Sequence, residues 1–454
     1  MTPPPVSFAE GEHRPFGPIA ASGGEPGGGV KPALKNLPGI LQEGSLYLLL
    51  FLLPFSKAAI EVTSVLLVAG WLLARLSSRT RADTVWCQPA LRSLALTLLA
   101  YLGVCALSIM VSDFPGHSIR ALFSKWLQYA WLFVVAADLG RRPSVVRQSL
   151  AVVACSSVFV LIEGLSQERL GRGLMRGYRL DFFDRMTGPY ENPIDLATYL
   201  MVIIPLLLAS SLRQRSLLRR AGLWALLAGL IVGLAKTMAL GAWLGLGVGV
   251  VGVVCVGNRA IRRSGLIMLG VAVVAFGLLL RYPHVLNTML SLSGVKVARA
   301  GAVSPEPFSS IGNVDRLAMW QAALRMIRER PVLGHGLNTF MANYLTYWVG
   351  GERQPRYAHN CYLQVAAETG MVGLVLFVIV LWQLFSRLMT QLRRSRASDA
   401  MLLSGFLAGL LAFVVQAGID TNFYSLRQAA LFWTLAGLAV GYAYRVVPAS
   451  ATQS

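Results

Sequence analysis

Long apolar segments recur along most of the chain, separated by short polar stretches. A helix that crosses the hydrocarbon core of a bilayer needs about 20 mostly apolar residues. By that criterion the pattern predicts an all-α polytopic membrane protein with about twelve transmembrane helices. The predicted spans are residues 39–56, 58–76, 92–111, 119–138, 147–166, 195–212, 221–236, 239–257, 264–281, 371–388, 400–419 and 428–445.

Composition supports a membrane protein. Apolar residues make up 55% of the chain and charged residues 14%, whereas soluble domains are about 45–50% apolar and about 25% charged. The net charge of +20 arises mostly from cations between the apolar segments, which membrane topology explains. We therefore expect membrane lipids around the protein and no nucleic-acid partner.

The cations also predict an orientation. Basic loops follow the second, fourth, sixth, eighth and tenth spans, with Arg79, Arg141, Arg219, Arg262 and Arg393 as representatives. Loops enriched in Lys and Arg face the cytoplasm. Both termini are then cytoplasmic, and this requires an even number of spans.

Five regions follow from this pattern. We expect a disordered cytoplasmic tail at 1–37, spans 1–9 at 38–281, a large outward loop subdomain at 282–370, spans 10–12 at 371–446 and a cytoplasmic tail at 447–454. Within the large loop, residues 315–330 have a helical stripe of Met319, Ala323 and Met326, and Pro331 stops that helix. Residues 357–369 have a second helical pattern, with His359 on its face and Gly370 as its C-cap.

The shorter outward loop, 167–194, is unusually basic. It contains Arg169, Arg172, Arg176, Arg179 and Arg185. Cations on the outer side need a reason other than topology, and arginine binds phosphate with two parallel hydrogen bonds. The loop therefore predicts a site for a phosphorylated lipid or glycolipid. The alternative is an interfacial segment whose arginines reach the lipid headgroups.

Two further features lie near this loop. The segment Gly188–Pro193 forces irregular backbone, and its Tyr190 and Asn192 are candidates to orient a sugar or phosphate. Alternatively, Asn192 simply caps a helix that starts at Pro193. Lys236 lies at an outward turn between two apolar spans, where a cation either serves a site or extends to the interface.

The large loop carries two candidates for chemistry. Arg316 begins the predicted helix 315–330, and His359 is a side chain that exchanges a proton near neutral pH. An exposed histidine is more often incidental, so residue type alone does not decide. The sequence has no Walker A loop and no Asp-x-Asp pair, and we predict neither a nucleotide cofactor nor a metal.

Several motifs together resemble one family. They are Arg316–Trp320, Pro331–Gly336, His359–Gln364, Ala367–Gly370 and the segment Gly188–Pro193. In this order, with the last ones before an apolar span, they are similar to the signature of the O-antigen ligase and polymerase superfamily. That family often has a Ser-Arg pair at the start of a middle helix. Here the matching stretch, residues 239–242, has no arginine, and Lys236 is the nearest cation.

The resemblance implies a GT-C-like glycosyltransferase in the inner membrane of a Gram-negative bacterium, with a periplasmic active site. The donor would be a glycan on undecaprenyl pyrophosphate, and the acceptor would be the lipid A–core oligosaccharide. The family's functional arginine and histidine fall on Arg316 and His359. On this hypothesis His359 is the general base, Asn360 or Tyr362 positions the acceptor, and configuration is inverted.

Two alternatives remain open at this stage. The first is an O-antigen polymerase or a transferase that moves the same donor onto protein. The second is a lipid-linked oligosaccharide transporter without chemistry, which would need a polar path across the bilayer.

Overall fold

The computed structural model describes residues 37–77, 84–181, 184–256, 313–350 and 354–445, with positions 262, 266 and 270 in isolation. The predicted tails, the ninth span and the first part of the large loop lie outside the described residues.

Every regular element in the described ranges is helical. The helices are α1 (Leu37–Leu52), α2 (Lys57–Ser77), α3 (Pro89–Ser108), α4 (Pro115–Ala121), α5 (Leu127–Gly140), α6 (Pro143–Leu170), α7 (Pro193–Leu212), α8 (Leu217–Lys236), α9 (Leu240–Val256), α10 (Asn313–Glu329), α11 (Phe340–Asn343), α12 (Cys361–Arg394), α13 (Ala397–Gln416) and α14 (Leu426–Ala443). One π-helical turn, Leu122–Trp126, joins α4 to α5.

Seven of these helices are long and apolar enough to cross a membrane: α2, α3, α6, α7, α8, α12 and α13. Two shorter apolar helices, Leu37–Leu52 and Leu240–Cys255, accompany them. The prediction of a helical polytopic membrane protein is confirmed on this basis. The number twelve, with a ninth span outside the described residues, stays a prediction.

The centre of the bundle is packed through small residues. Helices α7, α13 and α14 are buried along most of their length. A Cβ at Gly441 of α14 would lie 2.0 Å from the carbonyl oxygen of Ala137 in α5, and one at Gly409 of α13 would lie 2.4 Å from that of Val202 in α7. Such close backbone approach is typical of membrane helix interfaces, where glycine leaves room for it.

Polar contacts collect at the two ends of the bundle. At one end, the basic loops form ion pairs such as Arg75–Asp138, Arg142–Glu43 and Arg445–Asp399. At the other end lie Lys236–Glu168 and Arg330–Asp113. The loops predicted to face opposite sides are therefore segregated. We call the second end the outward end.

The described part of the large loop contains the first predicted helix as α10. The stripe of Met319, Ala323 and Met326 is buried, and the helix ends just before Pro331. The stripe packs with Phe340, Tyr344, Ala358 and Ala367 into a small core of its own.

The second predicted helix, 357–369, is wrong at its start. Helix α12 begins at Cys361, and His359 precedes it with a φ of 46°. His359 therefore does not lie on the helical face. Gly370 does interrupt the helix, with φ 70° and ψ −178°, but the chain continues as a helix to Arg394. A side chain at Gly370 would place its Cβ 2.0 Å from the carbonyl oxygen of Val332.

Candidate active site

His359 forms a partly buried pair with Asp420. Its Nδ1 lies 3.2 Å from Asp420 Oδ1, and the two side chains are 15% and 16% exposed. An ionised carboxylate only accepts hydrogen bonds, so the proton of a neutral imidazole belongs on Nδ1. The Nε2 lone pair is then free to accept a proton, as a general base requires.

The backbone around His359 is fixed by contacts across the bundle. Asn360 caps α12, since its Oδ1 accepts the amides of Tyr362 and Leu363 at 3.0 Å each. The amide of Cys361 donates to the carbonyl of Ala417 at 2.8 Å. The Cys361 thiol donates to the carbonyl of Asp420 at 3.2 Å. These bonds tie the start of α12 to the turn between α13 and α14, and so place His359 beside Asp420.

Arg316 lies near the start of α10, on the same loop subdomain. Its Nε is buried and has no hydrogen-bond partner among the residues that the structure describes, and the same is true of Trp320 Nε1 one turn later. Met319, between them, belongs to the small core that also contains Ala358, the neighbour of His359. The helical turn with Arg316 and the segment with His359 are therefore packed against the same small core. An unmatched buried donor is costly, so these groups are well suited to a bound acceptor.

The basic loop is folded around a buried carboxylate. Glu163, fully buried near the outward end of α6, accepts the amides of Met175 and Arg176 at 2.8 Å each. Arg176 and Arg179 are exposed, and Arg176 Nη2 donates to the hydroxyl of Tyr178 at 2.9 Å. The acid therefore presents these arginines on the outward surface.

Two other predicted cations are paired with acids. Arg185 Nε donates to Asp181 Oδ2 at 2.7 Å. Lys236 Nζ lies 2.9 Å from Glu168 Oε1. The Asp181 carboxylate thus offsets one cation of the basic loop. The Lys236 contact joins the turn after α8 to the basic loop.

The Gly188–Pro193 segment has the irregular backbone that its prolines predict. Asn192 is an N-cap, with Oδ1 accepting the amide of Ile194 at 2.8 Å, and Pro193 is the first residue of α7. Tyr190 is fully buried, and its hydroxyl has no hydrogen-bond partner within the described ranges. Tyr362 is also engaged, since its hydroxyl donates to the carbonyl of Val414 at 2.7 Å. The capping alternative for Asn192 is thus confirmed. Substrate roles for these residues stay predictions.

Sequence reasoning missed three residues of this region. Asp420 lies in the short loop between the last two spans, and as an acid at the outward end it could have been noticed. Arg427 is a cation at the start of an apolar span, a position that by itself points to function. Glu368 is fully buried and accepts the amides of Asn338 and Phe340 and the hydroxyl of Tyr424. It holds the Gly336–Phe340 turn against α12.

Another histidine of the large loop, His335, makes a buried contact within the loop subdomain. His335 is fully buried, and its Nε2 donates to the carbonyl of Met326 at 3.1 Å. Burial lowers the pKa of His335, and the Arg330 guanidinium acts in the same direction, while the bond to Met326 opposes them. The neutral ring is therefore favoured at this position.

Comparison with known proteins identifies a related family. The family model described as O-Antigen ligase matches residues 221–378. The chain is also similar to the Exopolysaccharide production protein ExoQ of Rhizobium meliloti (strain 1021), with 28% identity over 143 residues. That match covers 28% of this chain and 31% of the relative, so most of the relative's length is not covered. The resemblance predicted from the motifs is confirmed.

Proposed function

We propose that this chain, whose residues 221–378 match the O-antigen ligase family, is a glycosyltransferase of the ligase type. It transfers an O-antigen glycan from undecaprenyl pyrophosphate to lipid A–core at the periplasmic face of the inner membrane. The observation that supports this most directly is the partly buried His359–Asp420 pair, whose histidine belongs to the same loop subdomain as Arg316.

The proposed reaction is a single displacement. His359 Nε2 takes the proton of an acceptor hydroxyl, whose oxygen attacks the anomeric carbon of the donor sugar. The bond from that carbon to the diphosphate breaks, undecaprenyl pyrophosphate leaves with the electron pair, and configuration is inverted. General-base help contributes about 10²–10⁴-fold. Asp420 orients the imidazole and stabilises the imidazolium that forms.

Charge stabilisation of the leaving diphosphate falls to the outward cations. Arg316 has an unmatched buried Nε, and Arg176 and Arg179 are exposed at the same end of the bundle. Arg185 and Lys236, which pair with Asp181 and Glu168, add positive charge at the same end of the bundle. Preorganised donors of this kind stabilise developing charge more effectively than water does.

The remaining predicted residues take positioning roles in this proposal. The side-chain oxygens of Asn192 and Asn360 are used as caps, which leaves their amide N–H groups to contact sugar. Tyr362, whose hydroxyl proton goes to Val414, offers its oxygen as an acceptor. Tyr190 supports the Gly188–Pro193 segment from within.

Orientation is part of the proposal. The end with the Arg75–Asp138 and Arg445–Asp399 ion pairs faces the cytoplasm, and the outward end with His359 faces the periplasm. Single cysteines at the exposed positions Leu174 and Arg215, in a cysteine-free background, test this in intact spheroplasts. A membrane-impermeant maleimide should label Cys at 174 and spare Cys at 215. The reverse pattern contradicts the orientation.

A polymerase is the second candidate, and the similarity to an exopolysaccharide production protein favours it. It would use the same donor site with the growing glycan as acceptor. The strongly cationic outward loop favours instead an acceptor rich in phosphate, such as lipid A–core.

Expression in a Gram-negative host that lacks its own ligase, but makes undecaprenyl-linked glycan, separates these functions. Ligase activity should attach glycan to lipid A–core. Longer glycan on undecaprenyl pyrophosphate, with unmodified core, would indicate the polymerase. If neither product changes although the protein is inserted in the host membrane, both proposed functions are contradicted. The His359→Ala protein at equal expression is the matched control.

A further inference from the structure

The first turn of α14 contacts the Gly188–Pro193 segment and Asp195, which follows it in α7. Arg427 Nη1 donates to the carbonyl of Pro189 at 3.2 Å, and its guanidinium carbon lies 5.3 Å from the centre of the Tyr190 ring. The next residue, Gln428, donates from Nε2 to the carbonyl of Asp195 at 2.7 Å. Two consecutive side chains thus bind the Gly188–Pro193 segment and the first turn of α7 that follows it.

Arg427 is an unusual residue for this position because it is almost completely buried. The residue is 3% exposed, and its Nε is buried with no hydrogen-bond partner from any described residue. No ion pair within 4.0 Å involves Arg427 in the described part of the chain. The guanidinium interacts electrostatically with the carboxylates of Glu191 and Asp195. Burying it without a direct ion pair is nevertheless costly, which points to a role beyond stability.

The turn 417–427, which ends at Arg427, also contacts the segment that contains His359. Residues 417–427 include Asp420, which pairs with His359, and Ala417, whose carbonyl accepts the amide of Cys361. Tyr424, in the same turn, donates to Glu368 at 2.9 Å. The turn therefore contacts the His359 segment on one side and the Gly188–Pro193 segment on the other.

We propose that Arg427 is a positioning residue that holds the Gly188–Pro193 segment in register with the His359–Asp420 pair. It acts through the carbonyl of Pro189 and the ring of Tyr190, without contacting substrate. This inference rests on the proposed function, because it assigns the Gly188–Pro193 segment to the donor side of the same site. Small displacements of such a segment lower the rate of the bound complex more than they weaken binding.

The test compares Arg427→Met and Arg427→Lys with the wild type in donor-dependent transfer. Arg427→Met should lower kcat about 10- to 100-fold, change the donor KM little and leave the melting temperature within about two degrees. Arg427→Lys keeps a cation over the Tyr190 ring and should restore most of the rate. Unchanged kcat in Arg427→Met would overturn the proposal, as would equal losses in the Lys and Met variants.

A second pair of variants tests the route of the effect. If Arg427 acts through Tyr190, then Tyr190→Leu and Arg427→Met together should lower kcat little more than the worse single change. Multiplicative losses would overturn the proposal.

Hydrogen exchange separates this inference from the proposed function. If the wild-type protein transfers no glycan at all, the proposed function fails. The rate of amide hydrogen exchange in residues 186–195 then tests whether Arg427 positions this segment. Faster exchange in Arg427→Met supports the positioning role, and unchanged exchange overturns it.

Discussion

His359 Nδ1 and Asp420 Oδ1 lie 3.2 Å apart although 61 residues separate them along the chain. Two local features produce this contact. The positive φ of His359 turns its side chain away from the α12 helix, and the hydrogen bonds from Cys361 to Ala417 and Asp420 fix the opposite turn. The imidazole is thereby oriented by an acid before any substrate arrives.

Asp420→Asn should lower kcat by about 10²–10⁴-fold, because the amide no longer fixes the Nδ1–H tautomer or stabilises the imidazolium. The change keeps the size of the side chain, so the melting temperature should stay close to that of the wild type. Steady-state transfer kinetics measure the effect. Asp184→Asn, at an exposed position of the basic loop, is the matched control, and an equal loss in both variants argues against the pair.

Arg316→Ala should abolish transfer while leaving insertion into the membrane normal. The variant removes the guanidinium that we assign to the diphosphate, whose Nε has no partner among the described residues. That interaction is expected to contribute about 10²–10³-fold. Arg325→Ala changes an exposed arginine of the same helix and should keep activity within about twofold. Wild-type transfer by Arg316→Ala would remove Arg316 from the site.

Glu163→Ala should loosen the basic loop, because two backbone amides lose their buried acceptor. Limited trypsin digestion of the purified protein, with cleavage after Arg176 followed by mass spectrometry, measures this directly. Cleavage there should become at least about fivefold faster. Glu61→Ala removes an exposed acid of α2 and should leave the rate unchanged. Equal rates for wild type and Glu163→Ala would show that the loop is held by other contacts.

His335 should make the protein less stable as the pH falls below neutrality. Its folded pKa is lowered, so the unfolded chain binds the proton more readily than the folded one. The stabilisation is complete above the unfolded pKa of about 6.5 and is lost as the pH falls from there towards the lower folded pKa. Melting temperatures between pH 7.5 and 5 should fall less in His335→Gln than in the wild type. Parallel curves would mean that His335 does not carry this dependence.

The sequence predicts those features that depend on neighbouring residues. Apolar length predicted the seven helices that can cross a membrane, and the stripe of Met319, Ala323 and Met326 predicted α10. Gly370 marked a break. Each of these signals lies within a few turns of helix. The N-cap at Asn192 is of the same kind. The start of α12 was misjudged because Asn360 caps it and leaves His359 outside, a choice that tertiary contacts determine.

The site depended on contacts that no local pattern contains. Lys236 and Arg185 look like free cations in the sequence, but their acids lie elsewhere in the basic loop. The contacts of Asp420 and Arg427 exist only because α13 and α14 pack beside α12 and α7. Their outward position and charge were visible, whereas their partners, His359 and the Gly188–Pro193 segment, were not.

The most direct test is transfer by the purified protein with undecaprenyl-pyrophosphate glycan and lipid A–core, with EDTA and without nucleotide, for wild type, His359→Ala and His117→Ala. His117 is an exposed histidine in α4. The proposed mechanism predicts glycan-bearing lipid A–core from the wild type and His117→Ala, and a loss of at least about 10²-fold in His359→Ala. Undiminished transfer by His359→Ala would contradict the assignment of the base.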